Sequence, residues 1–471
     1  METQKTSPWR LRIVERRTIL IIGDLIVGVI ALAIALIFWA ANAEWLGFSV
    51  EFLRERVSSW FYLLPFFWLF LLVDQYDVSK AASWQRTSRG VMVSALIGFV
   101  VYSAIYIFSE PNSLPRRGVA TFLIIASILT LIWRWFYIRV FTAPQFLRRV
   151  LVVGGGKSGE IILQVINEKQ PRPFELIGLI DDDPQKSEQA IEGYPVLAGS
   201  DRLLGIVAEQ EITDIIVAIL GEMKGATFQT LLDAQERGIE ITRMPVVYEE
   251  LTSRVPIKIL ETDWLLRSFA DDTRVSGFFE LGKRILDIIG ATVGIAVLLL
   301  MLPFVGLATL IDDGWPIFYS QTRLGRGGQP YQIFKFRTMI NDAEADGTPR
   351  WAKEDDERAT RVGRILRKTR LDEWPQFINV LRGEMSLVGP RSERPKLVEH
   401  FQRHVPFYRA RLLVKPGITG WAQINYDYAA TIEETITKLE YDLYYIKHRS
   451  LWLDIMILLR TPGTMFGLRG Q

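Results

Sequence analysis

Four apolar stretches lie ahead of residue 142, at about Thr18–Ala41, Val57–Val73, Val91–Phe108 and Val119–Val140. Each approaches the roughly 20 residues that a helix needs to cross a bilayer, the middle two at the short end. Residues 1–142 are therefore expected to form a four-helix transmembrane bundle. The first run is too long for the apolar core of a cleaved signal peptide. Trp39, Trp45, Trp60, Tyr62 and Trp68 cluster near the run ends, where amphipathic rings favour the membrane interface. Lys5, Arg10, Arg12, Arg16 and Arg17 precede the first run, Lys80, Arg86 and Arg89 lie between the second and third, and Arg134, Arg139, Arg148 and Arg149 close the fourth. By the positive-inside rule both ends of the bundle face the cytoplasm, with Arg116 and Arg117 a minor contrary signal. Asp24 has two open readings: an intramembrane functional acid, or an acid near the interface that pairs with Arg16 or Arg17.

The remainder of the 471 residues is different in kind, and the mean hydropathy of +0.16 conceals the contrast. With 49% hydrophobic and 23% charged residues the chain is neither disordered nor collagen-like. Lys and Arg number 55 against 53 Asp and Glu, which excludes a globally basic nucleic-acid binder. Zero cysteines exclude disulfides, thiol catalysis and Cys-ligated metals, and three histidines argue against a poly-His metal site.

From Arg149 the pattern becomes α/β. Val150–Val153 is a short β-branched run, followed by Gly154-Gly155-Gly156-Lys157-Ser158-Gly159 and a helical stretch; Phe174–Ile180, Ile212–Ile219 and Ile239–Met244 read as further strands. Alternating strands and helices predict a parallel sheet, a Rossmann-like module over residues 148–246. Gly154, Gly156 and Gly159 fit the spacing of a phosphate-cradling turn, and Asp181 stands where a ribose-binding acid can sit. The other reading, that the glycines allow only a tight turn and close packing, stays open, as does any nucleotide ligand. Residues 247–279 read as a linker.

The last domain, residues 280–471, opens on Lys283-Arg284 and an almost wholly apolar run, Ile288–Ile311. Pro303 interrupts that run, and Arg323 and Arg326 follow it, so both flanks are basic. A kinked helix over about residues 285–311 that enters and leaves by one face is expected rather than a fifth span. Charged motifs then become dense. On the predicted strand Tyr331–Met339, Lys335 and Arg337 share one face, two cations that suit a diphosphate or form a solvated strand face. Five cations crowd Arg361–Arg370, Arg367 among them, and lead into Leu371-Asp372-Glu373-Trp374-Pro375-Gln376. A helix is predicted there, with Asp372 as its N-cap and its end at Gly383. Arg391 and the turn Lys415–Trp421 add further positive charge. Phosphate chemistry needs cations to absorb charge and an acid to attack or to hold Mg²⁺, and this region supplies both.

The stretch Leu281–Gly467 resembles the bacterial sugar transferases, the monotopic polyprenyl-phosphate phosphoglycosyl transferases. The resemblance rests on Lys283-Arg284, Gln321 with Arg323 and Gly325, Lys335–Met339, Leu371–Gln376, Asn379, Met385-Ser386, Gly389-Pro390-Arg391, Lys415–Gly420, Asp442, Tyr444-Tyr445 and Leu451–Asp454. The bundle and the Rossmann-like module ahead of it resemble the long members. The resemblance implies a membrane protein of α plus α/β class, and transfer of a phospho-sugar from a nucleotide diphosphate sugar, a UDP-hexose, to polyprenyl (undecaprenyl) phosphate. The nucleoside monophosphate, UMP, is released as the first membrane step of exopolysaccharide, capsule or O-antigen assembly. It implies Asp372 as the nucleophile that forms a covalent intermediate and as a ligand of Mg²⁺. Glu373 is its support, by orientation or proton handling, and Lys335, Arg337, Arg367 and Arg391 are diphosphate or nucleotide contacts. The partners are the membrane and the two substrates, with no nucleic acid; a homodimer is left open. The location implied is the bacterial inner membrane, with the catalytic domain on its cytoplasmic face. Two positions depart from the family: Leu302-Pro303 where Ser-Pro is common, and Pro390-Arg391-Ser392 where Pro-Arg-Pro is common. The competing readings are a membrane-bound NAD(P)-dependent sugar-nucleotide enzyme, which lacks a clear Tyr-x-x-x-Lys, and a nucleotide-sensing scaffold. Leu451–Leu468 is expected as an interfacial amphipathic helix or an internal packing helix.

Overall fold

A computed structural model describes residues 11–41, 47–107, 116–143, 146–170, 172–187, 189–259, 277–340, 357–426 and 431–465. Lys5, Arg10, Trp45 and most of the expected linker lie outside the described residues. The chain divides into two compact units, Met1–Val247 and Tyr248–Gln471.

In the first unit, α1 (Ile13–Ala41), α3 (Trp84–Ile107) and α4 (Arg116–Phe141) are long, apolar helices. Together with a helix of the second unit they make four that are long and apolar enough to cross a membrane. Ile22, Ile26, Val29 and Phe38 of α1 and Leu96, Phe99 and Val100 of α3 are exposed, a surface suited to lipid rather than water. The second expected span differs. Ser59–Leu63 is a 3₁₀ turn, and only Leu64–Leu71 (α2), with Pro65 in its first turn, is α-helical. At 1.5 Å per residue α2 is far short of the ~30 Å hydrocarbon core. It anchors inward instead, with Trp68 fully buried and its indole N–H donating to Thr130 Oγ1 at 3.0 Å. Asp24 pairs with Arg134 of α4 at 2.5 Å, both side chains wholly buried, and not with Arg16 or Arg17. Those arginines lie two turns away on the same helix, about 10 Å along the axis, whereas α4 packs against α1 side by side.

The α/β part of this unit has strands β1 (Arg149–Val153), β2 (Glu175–Ile180), β3 (Ala190–Ile191), β4 (Tyr194–Ala198), β5 (Asp214–Val217) and β6 (Glu240–Arg243). Their order is β3-β4-β2-β1-β5-β6, parallel except for the β3–β4 hairpin. Helices α5 (Lys157–Glu168), α6 (Leu203–Glu209) and α7 (Gly225–Glu236) link the strands. Leu151, Val153, Ile215 and Val217 are buried, the near-continuous apolar pattern of strands covered on both faces.

The second unit begins inside the expected linker: Val255 and Ile257 are buried in its core, and Ser253 O accepts from the Trp421 indole. Its long helix α8 (Gly277–Asp313) stays helical on both sides of Pro303, the expected kink position. The proline removes one helical hydrogen bond, but Leu302 and Val305 on either side pack against a cluster of Leu298, Phe336 and Leu366. Along its length α8 lies against its own unit. A Cβ at Gly282, Gly290 or Gly294 would fall within 2.7 Å of Leu451, Leu387 or Phe377, so these small residues permit the close approach. Asp287 accepts from Ser386 Oγ and Leu387 N. The opposite face, with Ile285, Ile289, Val293, Leu300, Phe304 and Ile311, is exposed.

After α8 come the antiparallel hairpin β7 (Phe318–Leu324) and β8 (Pro330–Phe336), then α9 (Arg361–Lys368), a 3₁₀ helix Leu371–Gln376, and α10 (Phe377–Arg382), which stops at Gly383 with φ 84°. Strand β9 (Ser386–Val388) pairs in parallel with β10 (Gly417–Thr419). Helices α11 (Pro395–His404), α12 (Ile432–Lys447) and α13 (Leu451–Met465) complete the unit. On α13, Leu453, Asp454 and Ile457 face inward, while Leu451, Trp452 and Leu459 stay exposed. Asp454 accepts from Lys283 Nζ at 2.8 Å and the Tyr445 hydroxyl at 2.8 Å, which locks the start of α8 to α13.

Candidate active site

The acids Asp372 and Glu373 lie inside the 3₁₀ helix and not at its cap. The cap position is Arg370, in the left-handed region at φ 56°, and no side chain caps the turn. Both acids are buried, at 8% and 7% exposure, but their surroundings are opposite.

Glu373 is saturated. Lys335 Nζ donates to Oε1 at 2.7 Å, and Arg391 donates from Nη2 to Oε1 at 2.5 Å and from Nη1 to Oε2 at 3.2 Å. Burial pushes its carboxyl upward, but Arg391 and then Lys335 outweigh burial and hold it well below the usual carboxylate range. Asp372 receives no hydrogen bond among the described residues. Burial, and next the Glu373 charge, push it up to about 6 against the pull of Lys335, Arg391 and Arg370. One carboxylate therefore fixes two cations, and its neighbour keeps its lone pairs.

The scaffold explains this placement. Asn379, fully buried on α10, donates from Nδ2 to Gln332 O at 2.7 Å and accepts from Phe334 N at 3.2 Å. Its amide thus substitutes for a neighbouring strand along β8 and holds Lys335 against the acids. The Pro390–Glu393 loop is fixed through its carbonyls. Arg411 Nη2 donates to Arg391 O at 2.9 Å and Arg323 Nη1 to Ser392 O at 3.2 Å. Arg411 is itself paired with buried Asp442 at 2.9 Å. Partly buried Glu393 adds a carboxylate near Lys438, Arg411 and Arg323; these cations outweigh its desolvation and take its carboxyl down to about 2. Gly389 is required where β9 meets β10, because a Cβ there would fall 2.4 Å from Lys415 O. The sequence alone gives Asn379 and Asp442 no role and does not single out Glu393; the tertiary contacts supply their roles.

The remaining expected contacts are more dispersed. Arg337 donates to Asp313 O at 2.9 Å, to Gly314 O and to Trp315 O at 3.3 Å. Its guanidinium closes the C-terminus of α8, a favourable place for a cation. Arg367, on α9, has one guanidinium nitrogen buried without a hydrogen-bond partner among the described residues. No cage of three metal-binding side chains is present among the described residues. Mg²⁺ needs none when substrate phosphates supply oxygens, and Asp372 is the carboxylate with lone pairs to offer.

In the first unit, Gly154 has φ 104° and a Cβ on Gly159 would meet Gly154 O at 2.2 Å, so both glycines serve the turn itself. Asp181 accepts from Gly155 N at 2.6 Å, Asp183 N at 2.9 Å and Lys186 Nζ at 3.2 Å. The space beside Gly156 is open.

Residues 278–467 match the family model described as bacterial sugar transferase, and residues 71–226 match one described as CoA-binding domain. A UDP-glucose:undecaprenyl-phosphate glucose-1-phosphate transferase of Caulobacter vibrioides is 41% identical over 188 residues, 40% of this chain and 70% of that protein. The chain belongs to the bacterial sugar transferase family. Another relative of this transferase-family chain is a UDP-N-acetylgalactosamine-undecaprenyl-phosphate N-acetylgalactosaminephosphotransferase of Aeromonas hydrophila. It is 39% identical over 234 residues, 49% of this chain, and the match spans 54% of that relative's length. A galactosyl transferase of Streptococcus agalactiae is 28% identical over 425 residues, 83% of this chain and 91% of that protein. The family match contains the whole Asp372 site, and the long alignment extends into the membrane and α/β unit.

Proposed function

We propose that this family member transfers a sugar 1-phosphate from a nucleoside diphosphate sugar, a UDP-hexose, to polyprenyl (undecaprenyl) phosphate through an aspartyl intermediate. The carrying observation is the asymmetric acid pair: an unbonded Asp372 beside a Glu373 that anchors Lys335 and Arg391. The named relatives act on UDP-sugars and undecaprenyl phosphate, which supports the same substrate classes here.

An Asp372 oxygen attacks the sugar-bearing phosphorus. The bond from that phosphorus to the bridging oxygen breaks, and UMP leaves with the electron pair. A phosphate oxygen of the lipid then attacks the aspartyl phosphate, forming the lipid diphosphate sugar and restoring the carboxylate. Lys335 has used one of its three donors on Glu373 and Arg391 two of its five, which leaves both with donors for phosphate oxygens. Glu373, held ionised, orients these cations and does not carry a proton. Mg²⁺, held by the second Asp372 oxygen, would supply charge neutralisation at the diphosphate.

The reading places α8 in one leaflet without crossing. Its polar start and polar end both belong to one unit: Arg284 donates to Val380 O, and Asp312 accepts from Val362 N. Arg326, beyond β7, lies 3.9 Å from Glu280 near the helix start. The basic residues flanking the apolar runs favour an inner-membrane location with this unit on the cytoplasmic side. A single cysteine at Gln329, in a chain with none of its own, should resist impermeant thiol reagents in intact cells; labelling from outside would sink the topology. The activity is tested with purified protein, Mg²⁺, undecaprenyl phosphate and a panel of UDP-sugars. Release of UMP from none of them would refute the reaction.

A further inference from the structure

The second unit holds another convergence of positive charge, at the start of α8. An open cleft there is walled by Lys283, Arg284, Arg326, Lys415 and Arg449. It shares no wall residue with the Asp372 site. Its two acids are Glu280 and Asp287. Asp287 is committed to Ser386 and Leu387, and Glu280 is half exposed and reaches Arg326 only at 3.9 Å.

Lys283 is matched by Asp454. Arg284 spends one N–H of each Nη on the neutral carbonyls of Val380 and Leu381. Lys415 has no hydrogen bond or ion pair among the described residues, and burial, then the facing Arg284 charge, pull its ammonium below the ordinary lysine value. These two cations flank a gap beside Gly383, a glycine because its φ is 84°. The Cβ that Gly383 lacks would sit 3.6 Å from Lys415 Nζ and 3.7 Å from Arg284 Cζ.

Two like charges facing a shared gap repel, and an oxyanion between them converts the repulsion into charge-assisted contacts. The neighbouring turns of α8 expose Phe278, Leu281 and Ile285, so acyl chains have an apolar surface beside the charged gap. We propose that this cleft is a second phosphate-binding site, separate from Asp372, that takes the phosphate group of a membrane lipid. The proposal rests on the reading that the exposed face of α8 lies in lipid. It does not require that Asp372 be the nucleophile.

Native mass spectrometry of the full chain in dodecyl maltoside, a detergent without phosphate, tests it. The protein is titrated separately with polyprenyl phosphate, phosphatidylglycerol and inorganic phosphate. Wild type should retain a phosphate lipid, and Lys415→Glu should weaken that binding roughly tenfold or more, while Lys415→Arg keeps it. Lys415→Gln serves if the reversal does not fold, and Arg403→Gln, an exposed charge loss on α11, should change nothing. Retention of polyprenyl phosphate alone would identify a dock for the acceptor; retention of phosphatidylglycerol as well would identify a general headgroup site. Equal lipid binding by wild type and Lys415→Glu would overturn the proposal, as would capture of inorganic phosphate with neither lipid. Asp372→Asn should keep the bound lipid, and its loss there would overturn the separation of the two sites. Since UMP release is not read, failure here leaves the transfer reaction standing.

Discussion

Two acid-bearing turns in this molecule look alike as motifs and differ as chemistry. Asp181 follows β2 in the α/β part of the first unit, and its carboxylate is filled by Gly155 N, Asp183 N and Lys186. Burial raises its carboxyl, but those backbone donors and Lys186 outweigh burial and leave it below the usual value. Asp372 lies in the second unit with no donor on it among the described residues, raised to about 6. An acid solvated by its own backbone is already stabilised as an anion and has little reason to attack. A buried acid without donors is a stronger base than a hydrogen-bonded one and a ready ligand for an incoming cation or phosphorus centre.

The largest effect that breaks this comparison is on turnover. Asp372→Asn keeps the side-chain shape and caps nothing in either form. Transfer should fall roughly 10³-fold or more, about 4 kcal/mol of transition-state stabilisation. Mass spectrometry of wild type given donor and Mg²⁺ alone should place a phospho-sugar on the Asp372 peptide. The stability sign runs the other way. A raised carboxyl means the folded state binds the proton more tightly, so stability falls as pH rises from about 4 to about 6. The asparagine variant should lack that fall and melt no lower than wild type at neutral pH. Turnover of wild type should decline below about pH 6 as Asp372 protonates.

Next comes the partner acid. Arg391→Met leaves Glu373 buried with Lys335 alone. Since the Arg391 side chain is 33% exposed, the expected loss is on the order of 2 kcal/mol of stability, below that of a fully buried pair. Turnover should also drop in the folded fraction. Denaturant unfolding and UMP release, measured together, separate the two losses, and unchanged values of both would remove Arg391 from the site.

Arg337→Met sharpens the division between binding and building. Its donors close the end of α8, so melting should drop by about 2 kcal/mol while the KM for the nucleotide sugar stays near wild type. A raised KM with unchanged stability would instead restore Arg337 to the diphosphate.

The smallest effect belongs to Asp181. Asp181→Asn should cost about 1 kcal/mol and leave transfer intact. Because the carboxyl of Asp181 is lowered on folding, its contribution is present above the unfolded value near 4 and is lost as pH falls through the folded one. The variant should show a weaker acid dependence of unfolding. A large loss of transfer would mean that the α/β module governs the reaction.

By itself the sequence determined the long apolar helices, the alternating α/β module and the crowding of acids and cations around Asp372. These depend on composition and on periods of two or a few residues, which local order preserves. It could not show that Val57–Val73 breaks into a 3₁₀ turn and a short helix, because apolarity does not report where Pro65 starts a new turn. Nor could it show what α8 packs against beside Pro303, where Leu298, Leu302 and Val305 find Phe336 and Leu366. Asp372 and Glu373 are adjacent and chemically similar, and no spacing rule distinguishes them. Lys335 lies 38 residues from Glu373 and Arg391 lies 18 away, and only their convergence made one acid an anchor and left the other open. Arg337, two residues after Lys335, was turned to the end of α8 by the same packing. Which charged groups meet is a long-range property, and in a buried site the meeting decides both pKa and role.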